Sequence, residues 1–181
     1  MPDCFIQLKL TPMKTTDNTL SVFLVDDDPL FLSALKHKLR EKFKSGIKIS
    51  TFSGGEECLR HISDKPDVVV LDYYLDGNPN NVMNGLEVLQ KIKSVSDDTT
   101  VVMLSGQERK EVVEESMRIG AFKYVPKGEA AMHTIQALVN KSMHSLIQEK
   151  DAKENARFNM IMTGVFIAIL GLAAFLYFKY Q

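Results

Sequence analysis

The apolar positions along the chain fall into short runs that alternate between two periods. Leu20–Val25 is a short apolar run that ends in acids, and Pro29–Phe43 follows with Leu30, Phe31, Ala34, Leu35, Leu39 and Phe43 at helical spacing. Ile47–Phe52 reads as a strand and 55–63 as a helix. Val68–Asp72 is a solid run rich in β-branched residues, the pattern of a strand buried on both faces of a parallel sheet. A helix over 86–95, a strand over 101–105, a helix over 108–119, a strand over 122–125 and a helix from Glu129 onward complete the series. Five strands alternating with five helices predict a doubly wound α/β domain of about 130 residues.

Both ends depart from this pattern. Residues 1–18 show no period and mix Pro, Thr, Lys and Asp, which predicts a flexible tail, and Met13 offers a second candidate start. Residues 159–178 read NMIMTGVFIAILGLAAFLYF without a charge. About 20 residues at ~1.5 Å each cover roughly the 30 Å hydrocarbon thickness of a bilayer, which predicts a transmembrane helix. A buried core helix is usually shorter and seldom apolar on every face. The segment's position excludes a secretory signal peptide, and the N-terminus has no basic region followed by an apolar run. Lys141, Lys150, Lys153 and Arg157 precede the span and only Lys179 follows it, so the positive-inside bias places the N-terminal part in the cytoplasm, anchored to the inner (cytoplasmic) membrane by a single pass. Tyr177 and Tyr180 suit the far interface. Gly164, Ala168 and Gly171 form a small-residue stripe that would let two helices approach, although such residues are also simply common in spans. The expected organisation is a tail at 1–18, a folded domain at 19–145, a juxtamembrane helix at 146–158, a span at 159–178 and a short tail at 179–181.

Composition narrows the function. A chain of 181 residues, 45% hydrophobic and 25% charged, suits one globular domain with short appendages. With 22 Lys and Arg against 23 Asp and Glu it lacks the basic field by which most nucleic-acid binders collect phosphates, so no nucleic acid is expected as a partner. Cys4 and Cys58 lie far apart with no CxxC spacing; neither a disulfide framework nor a structural zinc site is encoded, and a reducing compartment suits the chain. His37, His61, His133 and His144 sit among charged residues on predicted helices without ligand spacing and read as solvated.

In doubly wound sheets the site lies beyond the carboxyl ends of the strands. There the sequence places Asp26, Asp27 and Asp28 after the first strand, Asp72 after the third, Ser105 after the fourth, and Tyr124 with Lys127 at the fifth. Carboxylates converging at one mouth repel each other unless a cation resolves the conflict, and a hard divalent ion with oxygen ligands is the natural one. Mg²⁺ takes one or two carboxylates, a carbonyl and several waters, which leaves room for a phosphoryl oxygen. Asp72 is then placed as a nucleophile that forms an aspartyl-phosphate. Lys127 would supply a positive charge to one phosphoryl oxygen and Ser105 a hydroxyl hydrogen bond to another, with Gly106 leaving the approach open. Taken singly, each residue also has a plainer role. The three early acids could cap the helix ahead of Pro29, Asp72 could end its strand, Ser105 could cap a helix, Tyr124 could fill core, and Lys127 could be solvated on a loop.

Together, VFLVDDDP, VVVLDYYL, VVMLSGQ and GAFKYVPK resemble the four signature blocks of the response regulator receiver domain of two-component signalling, over roughly residues 19–145. The resemblance implies a flavodoxin-like fold with strand order 2-1-3-4-5. It implies that Asp26 and Asp27 are metal-site acids, that Asp72 is the phosphoacceptor, and that the Tyr74 carbonyl completes the shell of a Mg²⁺ (or Mn²⁺) ion. Ser105 and Tyr124 would be the switch pair and Lys127 the phosphate-contacting lysine. Asp28 would be the extra acid of a DDD variant, not a ligand. Two features depart from the family pattern: Gly128 follows the lysine where Pro is usual, and the loop over 76–84 is a few residues longer before Gly85 and Leu86.

The function so implied is phosphoryl transfer from a histidine kinase or phosphotransfer protein to Asp72, catalysed largely by the receiver itself, with no separate enzymatic output. Ser105 would then be drawn inward, Tyr124 would follow, and the face formed by the fourth helix, fifth strand and fifth helix would change for an unknown downstream partner or for a homodimer. If the last helix runs on into the span, that face could also alter helix pairing in the membrane. Tyr74 stands where a phosphoaspartate hydrolase would carry a second Asp, and its ring would screen the acyl phosphate from water. A phosphorelay receiver points to a bacterial source. The alternative is a phosphorylation-independent pseudo-receiver serving as a membrane-tethered interaction module; loss of the acceptor or the lysine would favour it, and neither is lost.

Overall fold

The computed structural model describes residues 19–44, 46–75, 83–106 and 109–179. The expected tail at 1–18 and most of the long loop, 76–82, lie outside these residues. Five strands, β1 (Leu20–Val25), β2 (Ile47–Phe52), β3 (Val68–Asp72), β4 (Thr100–Ser105) and β5 (Lys123–Pro126), form one sheet in the order β2-β1-β3-β4-β5. All four pairings are parallel, with Val22 opposite Val68 and Val70 opposite Val102 at the centre. This is the doubly wound order expected.

Strand side chains alternate between faces, and each face has its own apolar layer. Val22, Leu24, Val68, Val70, Val102 and Leu104 pack with Leu32, Leu35 and Leu39 of α1 (Pro29–Phe43) and with Ala131, Ile135 and Val139 of α5 (Glu129–Lys179). Phe23, Val25, Val69, Leu71, Val101 and Met103 pack on the other side with Cys58 of α2 (Gly55–Arg60) and Val88, Leu89 and Ile92 of α3 (Gly85–Val95), beside α4 (Lys110–Ile119). Every residue of β3 is buried, which is why its sequence shows no polar alternation.

Helix starts follow local chemistry. Asp28 caps α1, its Oδ1 accepting the Leu30 and Phe31 amides at 2.9 and 3.3 Å, and Pro29 occupies the first turn, where no amide is needed. Asn84 and Glu87 form a reciprocal capping box at α3. Two helices differ from the pattern in the sequence. The segment expected as one helix over 55–63 breaks at His61 and continues as a single 3₁₀ turn, Ile62–Asp64, because Lys65 turns left-handed at φ 50° ahead of Pro66. α4 begins at Lys110 with Arg109 at its cap, two residues later than expected.

Gly85 sits where the first turn of α3 crosses the end of β3. A Cβ there would lie 2.4 Å from the Asp72 carbonyl oxygen and 2.7 Å from the Tyr73 Cα, both backbone atoms that cannot step aside. α5 is 51 residues long and changes character along its length. Ala131, Ile135 and Val139 are fully buried, Met143 and Leu146 pack partly against the same layer, and beyond them the described side chains are almost all exposed. Its apolar part reaches a mean hydropathy of 2.3 with none of that window buried, long and apolar enough to cross a membrane by length and composition.

Gly85→Ala is expected to destabilise the protein by roughly 1–3 kcal/mol in urea unfolding, the usual cost of overpacking against a rigid neighbour. Gly106→Ala, whose Cβ would meet nothing within 4 Å, serves as the control and should change stability far less.

Candidate functional site

Parallel strands bring their carboxyl ends to one edge, and there the sequence-predicted residues converge. Asp26 follows β1, Asp72 ends β3, Ser105 ends β4 and Lys127 follows β5. Backbone hydrogen bonds hold these ends side by side: the Asp26 amide donates to the Phe52 carbonyl at 3.2 Å, Tyr73 to Leu104 at 2.9 Å, and Lys127 to Ser105 at 2.7 Å. Asp26, Asp72 and Ser105 are 1%, 2% and 1% exposed, so the site is a buried acidic pocket.

Lys127 Nζ sits between the two buried carboxylates, 2.7 Å from Asp26 Oδ2 and 2.7 Å from Asp72 Oδ2. With Asp26 the contact is an ion pair; with Asp72 it is also a hydrogen bond. With Gly128 following it in place of the usual Pro, Lys127 still reaches the Asp72 carboxylate. One oxygen from each of Asp26, Asp27 and Asp72 lies within 4.8 Å of the others. Asp28 is different: it is exposed, its carboxylate caps α1, and its amide donates to Asp26 Oδ1 at 2.9 Å.

Burial pushes the Asp72 carboxyl up to about 6, against the pull of the Lys127 ammonium. Burial raises Asp26 as well, opposed by Lys127 and the Asp28 amide. Burial alone would depress Lys127, but the close contacts with the Asp26 and Asp72 carboxylates and their charges outweigh it and hold the ammonium above its ordinary value. Three carboxylates thus face one ammonium, and buried Asp72 Oδ1 accepts no hydrogen bond from the described residues. An excess of negative oxygen donors with an orphaned carboxylate oxygen fits a hard divalent cation.

The remaining predicted residues lie around this pocket. Tyr74 is half-buried two residues past Asp72, with its ring edge-on to Tyr73 at 4.6 Å. Tyr124 is half-buried on β5 opposite Met103 and packs on the α2 and α3 side of the sheet, while Ser105 pairs with Pro126 at the rim. All four histidines are exposed, and the one described metal-capable cluster is the aspartate group. Two neighbours escaped sequence reasoning. The Phe31 ring lies 5.1 Å from Lys127 Nζ, a cation-π contact that its helical spacing marked only as core. Glu56 accepts the Met83 amide at 3.0 Å, tying the end of the long loop to α2 across a separation no local motif reveals.

The family model described as the response regulator receiver domain matches residues 22–140, and the chain belongs to that family. Among curated relatives, the transcriptional regulatory protein PrrA of Mycobacterium leprae is 30% identical over 116 residues, covering 64% of this chain and 46% of its own. The response regulator MprA of Mycolicibacterium vanbaalenii is 31% identical over 59% of this chain and 43% of its own. The chain thus spans less than half the length of these relatives. Among solved structures, a CheY-like receiver domain protein from Methanospirillum hungatei JF-1 superposes with a TM-score of 0.62 at 21% identity, covering 72% of this chain and 98% of that one, which shows the shared fold. The BeF3-activated DrrB receiver domain gives a TM-score of 0.55 at 29% identity, covering 70% of this chain and 98% of its own.

A carboxyl whose pKa is raised by folding binds its proton more tightly in the native state. Its stabilising contribution is complete below the unfolded value near 3.8 and is lost as the pH rises through about 6. Without divalent ions, Asp72→Asn is therefore expected to be more stable than the wild type at pH 7.5, by roughly 2 kcal/mol. The gap should close toward pH 4 in urea unfolding followed across that range.

Proposed function

We propose that this protein is a membrane-anchored response regulator that accepts a phosphoryl group on Asp72 from a histidine kinase or phosphotransfer protein. The observation that carries this reading is the Asp72 carboxylate, buried at the end of the central strand with Oδ2 held by Lys127 and Oδ1 left over. In the transfer, a carboxylate oxygen of Asp72 bonds to phosphorus as the bond from phosphorus to the donor's imidazole nitrogen breaks. The Lys127 ammonium, already at the carboxylates, shifts onto a phosphoryl oxygen and balances the incoming charge. The Ser105 hydroxyl donates to another, and its inward movement makes room for Tyr124, which changes the α4, β5 and α5 face for a partner. Asp26, Asp27, Asp72 and the Tyr74 carbonyl would hold a Mg²⁺ or Mn²⁺ ion, which neutralises phosphoryl oxygens when bound.

Residues 19–145 are assigned as the receiver, 146–158 as a juxtamembrane stretch of α5 and 159–178 as the span. A charge-free helical segment with its described side chains exposed supports the anchor, since such a surface is otherwise left in water. The basic residues Lys150, Lys153 and Arg157 on the receiver side support a cytoplasmic receiver. Output is then by partner contact or dimerisation, through the α4, β5 and α5 face or the Gly164, Ala168 and Gly171 stripe.

Intact mass spectrometry of the detergent-solubilised full chain tests the chemistry. Acetyl phosphate with Mg²⁺ is expected to add one phosphoryl group, and no adduct should form when EDTA is present in the reaction or on Asp72→Asn. No adduct on the wild type, with acetyl phosphate or with candidate kinases, would make the pseudo-receiver the better account.

A further inference from the structure

α5 starts at the acceptor edge of the sheet and leaves from the opposite edge. Glu129 stands two residues after Lys127, which touches Asp72. Fourteen residues on, Met143 packs at the other end of the strands: a Cβ on Gly46, just before β2, would lie 3.3 Å from Met143 Cε. The helix therefore runs antiparallel to the strands, and the acidic pocket and the exit of α5 lie at opposite poles of the domain. Beyond Leu146 the helix continues without Gly or Pro through QEKDAKENAR, a polar stretch whose Lys153 and Glu149 pair at 2.6 Å. A helix that is polar all round and laced with such pairs bridges solvent.

From these placements, and resting on the anchored reading above, we propose that the receiver stands on a rigid stalk with its acceptor pocket turned away from the membrane. At ~1.5 Å per residue, the helix from Glu129 to the start of the span at Asn159 is about 45 Å long, and the part beyond Met143 is about 24 Å. A typical tilt of about 20° shortens these heights by less than a tenth. The phosphohistidine protein that serves Asp72 therefore approaches from the solvent side, presenting its histidine tens of ångströms above the bilayer. A donor histidine held close to the membrane surface would meet the stalk and the lower pole instead.

Energy transfer from a single fluorophore to acceptor lipids in the outer leaflet of receiver-out proteoliposomes tests this geometry. Labels go on Leu30→Cys, exposed at the acceptor pole, or Lys48→Cys, exposed near the lower pole, in full chains carrying Cys4→Ser. Buried Cys58 stays, since burial pushes its thiol up to about 12 and shields it from the dye. Transfer from position 30 is expected to be at least about threefold weaker than from position 48, given roughly 20 Å of strand between the poles. Ala152→Pro, which breaks the stalk, should bring the two values together. Equal transfer, stronger transfer from position 30, or a gradient unchanged in Ala152→Pro overturns the stalk. A chain that fails to float with the vesicles overturns the anchor itself, a distinct result.

Discussion

The site depends on one unbalanced electrostatic arrangement, a single ammonium shared by two buried carboxylates with a third beside them. Removing one partner from a buried ion pair leaves a charge with no compensation, at a cost of several kcal/mol. Here the imbalance is built into the native state. Lys127 reaches both Asp26 and Asp72 at 2.7 Å, yet burial still raises both carboxyls, so one cation does not neutralise the pocket. A pocket left in that condition gains from any additional positive charge, and it gains again when the lysine finds a more highly charged anion than a carboxylate. The same imbalance that makes the pocket costly without a cation suits it to a divalent ion and, under the proposed function, to a phosphoryl group as well.

The sheet makes this arrangement unavoidable. Because every strand is parallel and every helix returns antiparallel, the residues that end β1, β3, β4 and β5 share one rim. Their depth is set by backbone contacts. Gly85 lets α3 press on the Asp72 carbonyl, and the Lys127 amide donates to the Ser105 carbonyl, so Asp72 and Lys127 are positioned by backbone contacts before their side chains meet.

Much of this was legible in the sequence, for identifiable reasons. β1, β2, β3 and α1 fall at their expected bounds because short apolar or β-branched runs, fully buried in β3, and a helix opened by Asp-Pro are strong local signals. The break after α2 was not legible, since it depends on the conformation of Lys65 and on His61 turning to stack on Phe52 at 5.4 Å. At the site, the order of acids, serine and lysine along the chain was readable because strand ends in this topology converge. The Phe31 ring beneath Lys127 and the tie from Glu56 to Met83 were not, because each joins residues far apart in sequence through side chains whose local pattern says only core or surface.

α5 passes through three compositions along one unbroken path: a start packed on the core, a polar middle and a charge-free end. Its first turns place Ala131, Ile135 and Val139 at four-residue spacing into the domain core, each fully buried, so this part of the helix cannot slide or rotate without opening the apolar layer beneath β1 and β3. A piston transmitted from Lys127 along α5 would have to break that packing. A change confined to Tyr124 and α4 would not, because Tyr124 packs on the α2 and α3 side of the sheet, away from the layer that seats α5. Within the proposed anchored receiver, the seated start of α5 therefore favours signalling sideways through the α4 and β5 surface, with the stalk serving to hold that surface at a fixed height and orientation for its partner.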